Sequence, residues 1–517
     1  MSGVTGAESL VRSLVACGVD TCFTNPGTSE MHFVAALDRV DGMRCVLALF
    51  EGVATGAADG YARMTSRPAS TLLHLGPGLA NGLASLHNAH RALSPIVNIV
   101  GEHGTYHRQH DPPLHADIEG LARVYSSWIK TVESPADTGA AAAAAVAAAL
   151  VPPGRISTLI LPADAAWSES SSHVAGPMPV AGRAKADEAR VRDAAACLRK
   201  PNAALILNGP MLRTAPLETC GRIAAATGAE LLAPTQVPRV ERGAGRVFVD
   251  RIPYVIDAAL KRLQHLEHVV IVNARQPVAF FAYPGKPSLM LPPTCEVLTL
   301  ADPAEDGIDA IERLADVLGA AGHQPVHESL ALPQLPTGAI SLPGIAAVIA
   351  ALLPEGAIVI DESITSGRAL MPTTRTSAPH DWLTNPGGAI GTGLPLAVGA
   401  AVACPDRKVV CLESDGSGMY TLQGLWTMAR EGLDVVTVLF NNRTYEILKG
   451  EFKYVGAGEA GSKARDMLEI GRPNLDWVSL AKGQGVPATR VETLDALARD
   501  LRVALAENGP RLIEVMI

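Results

Sequence analysis

Short runs of consecutive apolar residues alternate along the chain with longer amphipathic or alanine-rich stretches. Strands buried on both faces of a parallel sheet appear in sequence as continuous Val/Ile/Leu runs, joined by helical crossovers. On that basis a first block is predicted to hold strands at Thr21–Phe23, Cys45–Phe50, Ser70–Leu75, Ile96–Val100 and Thr158–Leu161. A second block offers Ala203–Leu207, Glu230–Leu232, His268–Val272 and Glu296–Leu300, and a third offers Ala357–Asp361, Lys408–Leu412, Val435–Phe440 and Leu512–Val515. Two polar, proline-containing stretches, Ser168–Arg190 and Glu328–Gly344, interrupt the periodicity between blocks. The pattern predicts an α/β protein of three doubly wound parallel-sheet domains, over residues 1–170, 185–330 and 340–517. Ligands of such sheets sit beyond the carboxyl ends of the strands. No short-period repeat supports a solenoid.

Composition narrows the class. Of 517 residues, 48% are hydrophobic and 18% charged, which allows large cores and excludes wholesale disorder. The 52 acidic against 43 basic residues leave a net charge of −9, which argues against a nucleic-acid partner. The longest uncharged runs are Ala140–Leu150, too short for a membrane span, and Trp382–Pro405, which glycines and Pro395 interrupt. Met1-Ser2-Gly3-Val4-Thr5 lacks the basic flank and apolar run of a secretory signal. Eight cysteines without a Cys-x-x-Cys pair fit reduced thiols in a cytoplasmic protein.

The sharpest chemical signal is Glu413-Ser414-Asp415-Gly416-Ser417-Gly418, followed at the end of the next predicted strand by Asn441-Asn442. One βαβ crossover brings the Asp415 carboxylate and the Asn442 amide to the same sheet edge. Hard oxygen ligands there suit Mg²⁺, which keeps water and phosphate in its remaining positions. A helix start beyond Gly416 would face the same phosphates. Singly, an Asp-Gly turn or an Asn-Asn loop is more often structural; at this spacing the pair favours a metal–diphosphate site.

These motifs resemble those of the thiamine-diphosphate enzymes, whose shared signature is Gly-Asp-Gly followed, some two dozen or more residues on, by Asn-Asn. Here Ser414 stands where the first glycine is usual. The resemblance implies a pyrimidine-binding first domain, a central domain and a diphosphate-binding third domain. It implies that Asp415 and Asn442 bind Mg²⁺ by side chain and Thr444 by its carbonyl, and that Ser417, Tyr445 and Thr365 contact the diphosphate. Asn385-Pro386-Gly387-Gly388-Ala389-Ile390-Gly391 looks like the family loop around the aminopyrimidine, with the Gly388 carbonyl accepting from the 4′-amino group and Ile390 as an apolar wedge. As a plain residue, Ile390 is a core candidate, and the two roles are compatible.

In the first block, the run Cys45–Phe50 is predicted to end at Glu51, with a helix following over Gly52–Arg63. A carboxylate among apolar neighbours is costly without a partner. The resemblance makes Glu51 the acid that protonates pyrimidine N1′; taken alone, it could be a helix-start acid facing the macrodipole. Then comes His74-Leu75-Gly76-Pro77-Gly78-Leu79-Ala80-Asn81-Gly82. His74 is either a satisfied structural histidine or a proton carrier, and the similarity to benzoylformate decarboxylases favours the second. Asn81 is a helix cap or, by resemblance, a cofactor neighbour. Asn25-Pro26-Gly27-Thr28 resembles a substrate-side loop of the same group, with Thr28 in place of serine.

The stretch from Glu102 to His115 concentrates histidines. Zinc is the rival reading for His103 and His107, but Gly104 and Pro112-Pro113 oppose a regular helix and no cysteine accompanies them. By resemblance Pro113, Leu114 and His115 line the substrate pocket, with Thr28 and Leu448. The motif spelling is similar to acetolactate-synthase large subunits. That implies an enzyme using thiamine diphosphate and Mg²⁺ to decarboxylate 2-oxo acids with carboligation, as a homodimer or homotetramer with sites between chains. A simple decarboxylase of benzoylformate type and a catalytically idle subunit are the alternatives. FAD is not expected. The flavin candidates Pro234–Arg239 and Arg275–Ala279 contain prolines and no glycine, although Arg239 and Arg275 could meet a diphosphate.

Overall fold

Three sheets organise the chain. β1 (Thr21–Asn25), β2 (Arg44–Leu47), β3 (Ala69–Leu73), β4 (Ile96–Glu102), β5 (Ser126–Thr131) and β6 (Ile156–Pro162) form the first, in the order β2-β1-β3-β4-β6-β5, all parallel. The middle of the chain supplies β7 (Ala203–Leu207), β8 (Glu230–Ala233), β9 (Val240–Arg242), β10 (Asp250–Arg251), β11 (His268–Val272) and β12 (Glu296–Ala301). All but β9 make a parallel sheet ordered β10-β8-β7-β11-β12. The third sheet contains β13 (Ile358–Glu362), β14 (His380–Leu383), β15 (Val409–Ser414), β16 (Val435–Asn441), β17 (Ala488–Val491) and β18 (Arg511–Met516). Its order is β17-β18-β16-β15-β13-β14-β9, so β9 crosses from the middle block and pairs antiparallel with β14. This computed structural model describes residues 4–170 and 174–517; Met1-Ser2-Gly3 and residues 171–173 of the first interblock stretch lie outside the described residues. No helix among the described residues is long and apolar enough to cross a membrane.

The architecture is the α/β fold of three parallel sheets that the apolar runs predict, with four kinds of difference. β5 and β17 have half-exposed faces, so neither shows as an apolar run. β9 and β10 are only three and two residues long. β14 buries His380 and Asp381, which read as polar; Asp381 is neutralised by Arg239 and Arg407, each at 2.5 Å. Two boundaries also move. β2 stops at Leu47, so Glu51 is the first residue of the helix Glu51–Thr65 and not the end of a strand. β3 stops at Leu73, and the Gly76-Pro77-Gly78 segment lies inside the first turns of the helix Leu75–Ala92, not in a connecting turn. Proline is tolerated there because early helical N–H groups have no intrahelical acceptor.

The first and third blocks are joined where the helix Glu51–Thr65 meets the helix Gly393–Ala403. Small residues set the approach: a Cβ on Gly399 would lie 1.9 Å from the Ala57 carbonyl oxygen, and one on Gly60 would lie 2.3 Å from that of Leu396. Close backbone contact of this kind excludes any larger side chain. Within the contact, buried Asp59 and Arg63 pair at 2.5 Å, and Arg63 Nη1 donates to the Thr384 carbonyl at 2.7 Å. That bond anchors the segment just ahead of Asn385–Gly391.

Candidate active site

The first half-site is built around one end of the helix Leu75–Ala92. Glu51 is buried, and its Oε2 accepts from Asn81 Nδ2 at 3.0 Å. Asn81 lies in the second turn of its helix, so it is not the cap but a partner for the predicted acid. Gly78 separates Glu51 from His74: a Cβ there would sit 3.1 Å from Glu51 Oε1 and 3.3 Å from His74 Cβ. His74 occupies the N-cap position, and its Nδ1 lies 2.8 Å from Glu30 Oε2. Glu30 also accepts from the Gly27 N–H at 2.8 Å, while its Oε1 is buried without a partner. Burial pushes the Glu30 carboxyl up, and His74 opposes that shift. Gly27 makes room for the ring, since a Cβ would fall 2.0 Å from His74 Nδ1. Sequence reasoning stopped at Thr28, which is exposed, and missed Glu30 two residues on. The available signal was an acid closing an Asn-Pro-Gly loop at a strand end.

The second half-site lies at the carboxyl ends of β15 and β16. Asp415 accepts from the N–H groups of Gly416 at 2.9 Å and Arg443 at 2.7 Å. Burial nevertheless pushes its carboxyl up to about 6. A buried carboxylate in that condition is relieved by a hard cation, so the residue suits the Mg²⁺ of the family. Asn442 turns its Oδ1 to the Thr444 N–H at 3.0 Å across Arg443, whose φ is +58°. Ser414, the departure from the usual glycine, donates its hydroxyl to Ser417 Oγ at 2.7 Å. Tyr445 flanks Gly416, where a Cβ would lie 2.5 Å from its ring. Thr365 is half-buried in the turn after β13, beside Ile364 at φ +52°. A β-branched residue in that region is strained, a feature that clusters at ligand sites.

The loop Asn385–Gly391 is held from two sides. Asn88 donates to the Ala389 carbonyl at 2.7 Å and accepts from the Ala389 N–H at 3.1 Å, and His87 Nε2 lies 2.9 Å from the Gly387 carbonyl. From below, Glu362 accepts from the N–H groups of Gly391 at 3.1 Å and Gly393 at 2.6 Å. Gly388 has φ +78° and is exposed, and its N–H donates to Asn385 Oδ1 at 2.9 Å. Ile390 is half-buried, so it is not part of the core. Glu362 stands in register with Glu413 on the neighbouring strand, both fully buried. Burial pushes Glu362 up to about 7, and burial together with Glu362 drives Glu413 well above the carboxylate range. This buried carboxyl pair, undetected in sequence, links β15, which carries Asp415 at its end, to the loop Asn385–Gly391.

Family comparison follows the same two halves. "Thiamine pyrophosphate enzyme, N-terminal TPP binding domain" matches residues 4–122, and the corresponding C-terminal TPP binding domain matches residues 365–515. A Mycobacterium tuberculosis protein named "Putative acetolactate synthase large subunit IlvX" is 52% identical over 99% of both chains. The chain belongs to the thiamine pyrophosphate enzymes. A benzoylformate decarboxylase of Pseudomonas aeruginosa is 28% identical over 96% of each chain. The solved structure of a Rhodococcus jostii thiamine diphosphate-dependent 4-hydroxybenzoylformate decarboxylase superposes with a TM-score of 0.83 at 25% identity, covering 99% of both chains.

The remaining predicted residues of this thiamine pyrophosphate enzyme lie on exposed ground. Pro113, Leu114 and His115 are exposed, and His115 Nδ1 contacts Asp111 Oδ1 at 3.0 Å. Their loop does reach the first half-site, since a Cβ on Gly76 would be 2.6 Å from Ala116 Cβ. Leu448, 43% exposed, sits on the helix Glu446–Tyr454 that follows Asn442–Tyr445. Glu451 of that helix accepts from the Tyr254 and Tyr283 hydroxyls at 3.0 and 3.1 Å, fastening it to the middle block. Phe280 stacks over the pyrimidine loop, where a Cβ on Gly388 would meet its ring at 2.7 Å. The histidines 103, 107 and 115 form no metal-ligand group among the described residues.

A cavity of about 820 Å³ opens at the carboxyl ends of the central sheet. Both flavin candidate stretches contribute to its wall, through Pro234, Thr235 and Gln236 and through Arg275–Ala279. Arg275 lines the cavity, but Arg239 is spent on Asp381 and Glu241. One of the two arginines that could meet a flavin diphosphate is therefore already neutralised.

Proposed function

We propose that this thiamine pyrophosphate enzyme decarboxylates 2-oxo acids with thiamine diphosphate and Mg²⁺, and that its terminal step delivers a proton to release an aldehyde. The carrying observation is the His74–Glu30 pair, a polar ring backed by a buried carboxyl and separated from Glu51 by Gly78. Asp415, Asn442 and the Thr444 carbonyl would hold Mg²⁺; Ser417, Tyr445 and Thr365 would hold the diphosphate; Gly388 and Ile390 would hold the aminopyrimidine. When bound, the cofactor supplies the electron sink for breaking the bond to the carboxylate. Glu51 holds the proton for pyrimidine N1′, and Asn81 keeps its carboxyl pointed by the 3.0 Å bond. His74 moves a proton to the acyl fragment, and Glu30 orients its ring and supports its charge.

Carboligation to a second 2-oxo acid is the second reading, favoured by the 52% identity to the IlvX protein. Incubation with pyruvate and with aryl 2-oxo acids, with products identified, separates the two. Aldehyde release dependent on His74 supports the proposal, and acetohydroxy acid formation independent of His74 overturns it. The active unit is proposed to be at least a homodimer, with Glu51 of one protomer serving the metal site of its partner.

A further inference from the structure

At the opposite end of the central sheet from the cavity, three elements bring Cys197, His268 and Glu296 together. Cys197 is the penultimate residue of the helix Glu188–Leu198, and His268 and Glu296 are register partners at the starts of β11 and β12. Their ligand atoms, Sγ, an imidazole nitrogen and a carboxylate oxygen, all lie within 4.8 Å of one another. The helix packs on both strands, so the scaffold is rigid where the donors meet. We propose that Cys197, His268 and Glu296 form a zinc-type cation site, remote from the thiamine chemistry and serving structure or regulation.

The donor set argues for the metal class. A thiolate, an imidazole and a carboxylate together suit Zn²⁺, which takes Cys, His and Asp/Glu in tetrahedral sites and can complete the shell with water. Ligand atoms of such a site stand about 3.4–3.8 Å apart once the ion is bound.

Lys200 marks where the local field places a cation. Its Nζ lies 2.7 Å from Glu296 Oε2, the oxygen that also sits 3.0 Å from His268 Nδ1. Lys200 is 45% exposed, and a surface ion pair of that kind is weak because water screens it. Its ammonium can therefore swing out to solvent as a divalent ion enters. Burial, with Glu296 next, pushes the Cys197 thiol up to about 11, so the metal-free thiol is protonated. Binding forms Zn–S, Zn–N and Zn–O bonds and releases the thiol proton to solvent; no electrons are transferred.

The test is Co²⁺ and Zn²⁺ titration of the full-length protein, saturated with Mg²⁺ and thiamine diphosphate. A near-ultraviolet thiolate-to-cobalt band should grow to one equivalent per chain and bleach on adding Zn²⁺. The band should vanish in Cys197→Ser. Affinity should fall about 10-fold or more in Glu296→Gln, a surface change that spares the fold, and should rise in Lys200→Met, which removes the competing cation. No band at millimolar cobalt overturns the proposal. So does a band that survives Cys197→Ser, or an affinity unchanged in both Glu296→Gln and Lys200→Met.

Discussion

His74 and Glu30 meet at 2.8 Å across the mouth of the first half-site, and Glu30 leaves its second oxygen buried and unpartnered. A polar atom in that condition costs free energy that a purely structural pair would avoid. On the proposed function the pair acts as a unit, the carboxyl fixing the ring at 2.8 Å. Glu30→Gln should keep the contact but lose the charge, lowering turnover by about 10²-fold, the scale of a positioned acid–base group. The pH–rate profile should change shape as well. An unchanged profile with an unchanged rate returns both residues to a structural role.

Glu51→Gln should retain thiamine diphosphate while losing exchange of the cofactor's C2 proton. Proton NMR of that exchange checks it. Exchange at the wild-type rate would show that Asn81 orients a bystander.

Asp415 gives a pH prediction with a definite sign. Its carboxyl is raised from 3.8 to about 6, so the metal-free fold binds the extra proton more tightly than the unfolded chain. That contribution to stability is complete below about pH 4 and is lost as pH rises through about 6, by on the order of 3 kcal/mol. Metal-free Asp415→Asn should therefore melt higher than wild type at pH 8 and equally at pH 4. Saturating Mg²⁺ and thiamine diphosphate should reverse the order at pH 8. A melting difference that ignores pH would misplace the site.

Mixing inactive Glu51→Gln and Asp415→Ala chains should regenerate activity, because some sites would then carry both wild-type groups. Subunit exchange is verified separately by mass spectrometry of labelled chains. Exchange without recovered activity excludes sites shared between protomers.

The purified protein should be colourless, and added FAD should leave its activity unchanged, since Arg239 is already paired with Asp381 and Glu241. Stoichiometric FAD released on denaturation would reverse this and favour a conventional synthase.

Periodicity by itself determined the three parallel sheets, while residue pattern and family resemblance singled out Glu51 and the Asp415–Asn442 pair as candidates. The sheets follow from local order, since buried parallel strands require unbroken apolar runs, and Asp415 and Asn442 stood out because ligands of such sheets sit at strand ends. Only the tertiary structure decided that Glu30 backs His74, that Glu362 and Glu413 share the floor of the pyrimidine loop, and that β9 leaves its own block to pair with β14. Each of these joins residues distant in sequence through burial and side-chain direction. An isolated Glu in a polar loop looks the same whether it faces water or a histidine, and only packing supplies the desolvation that makes it chemically distinct.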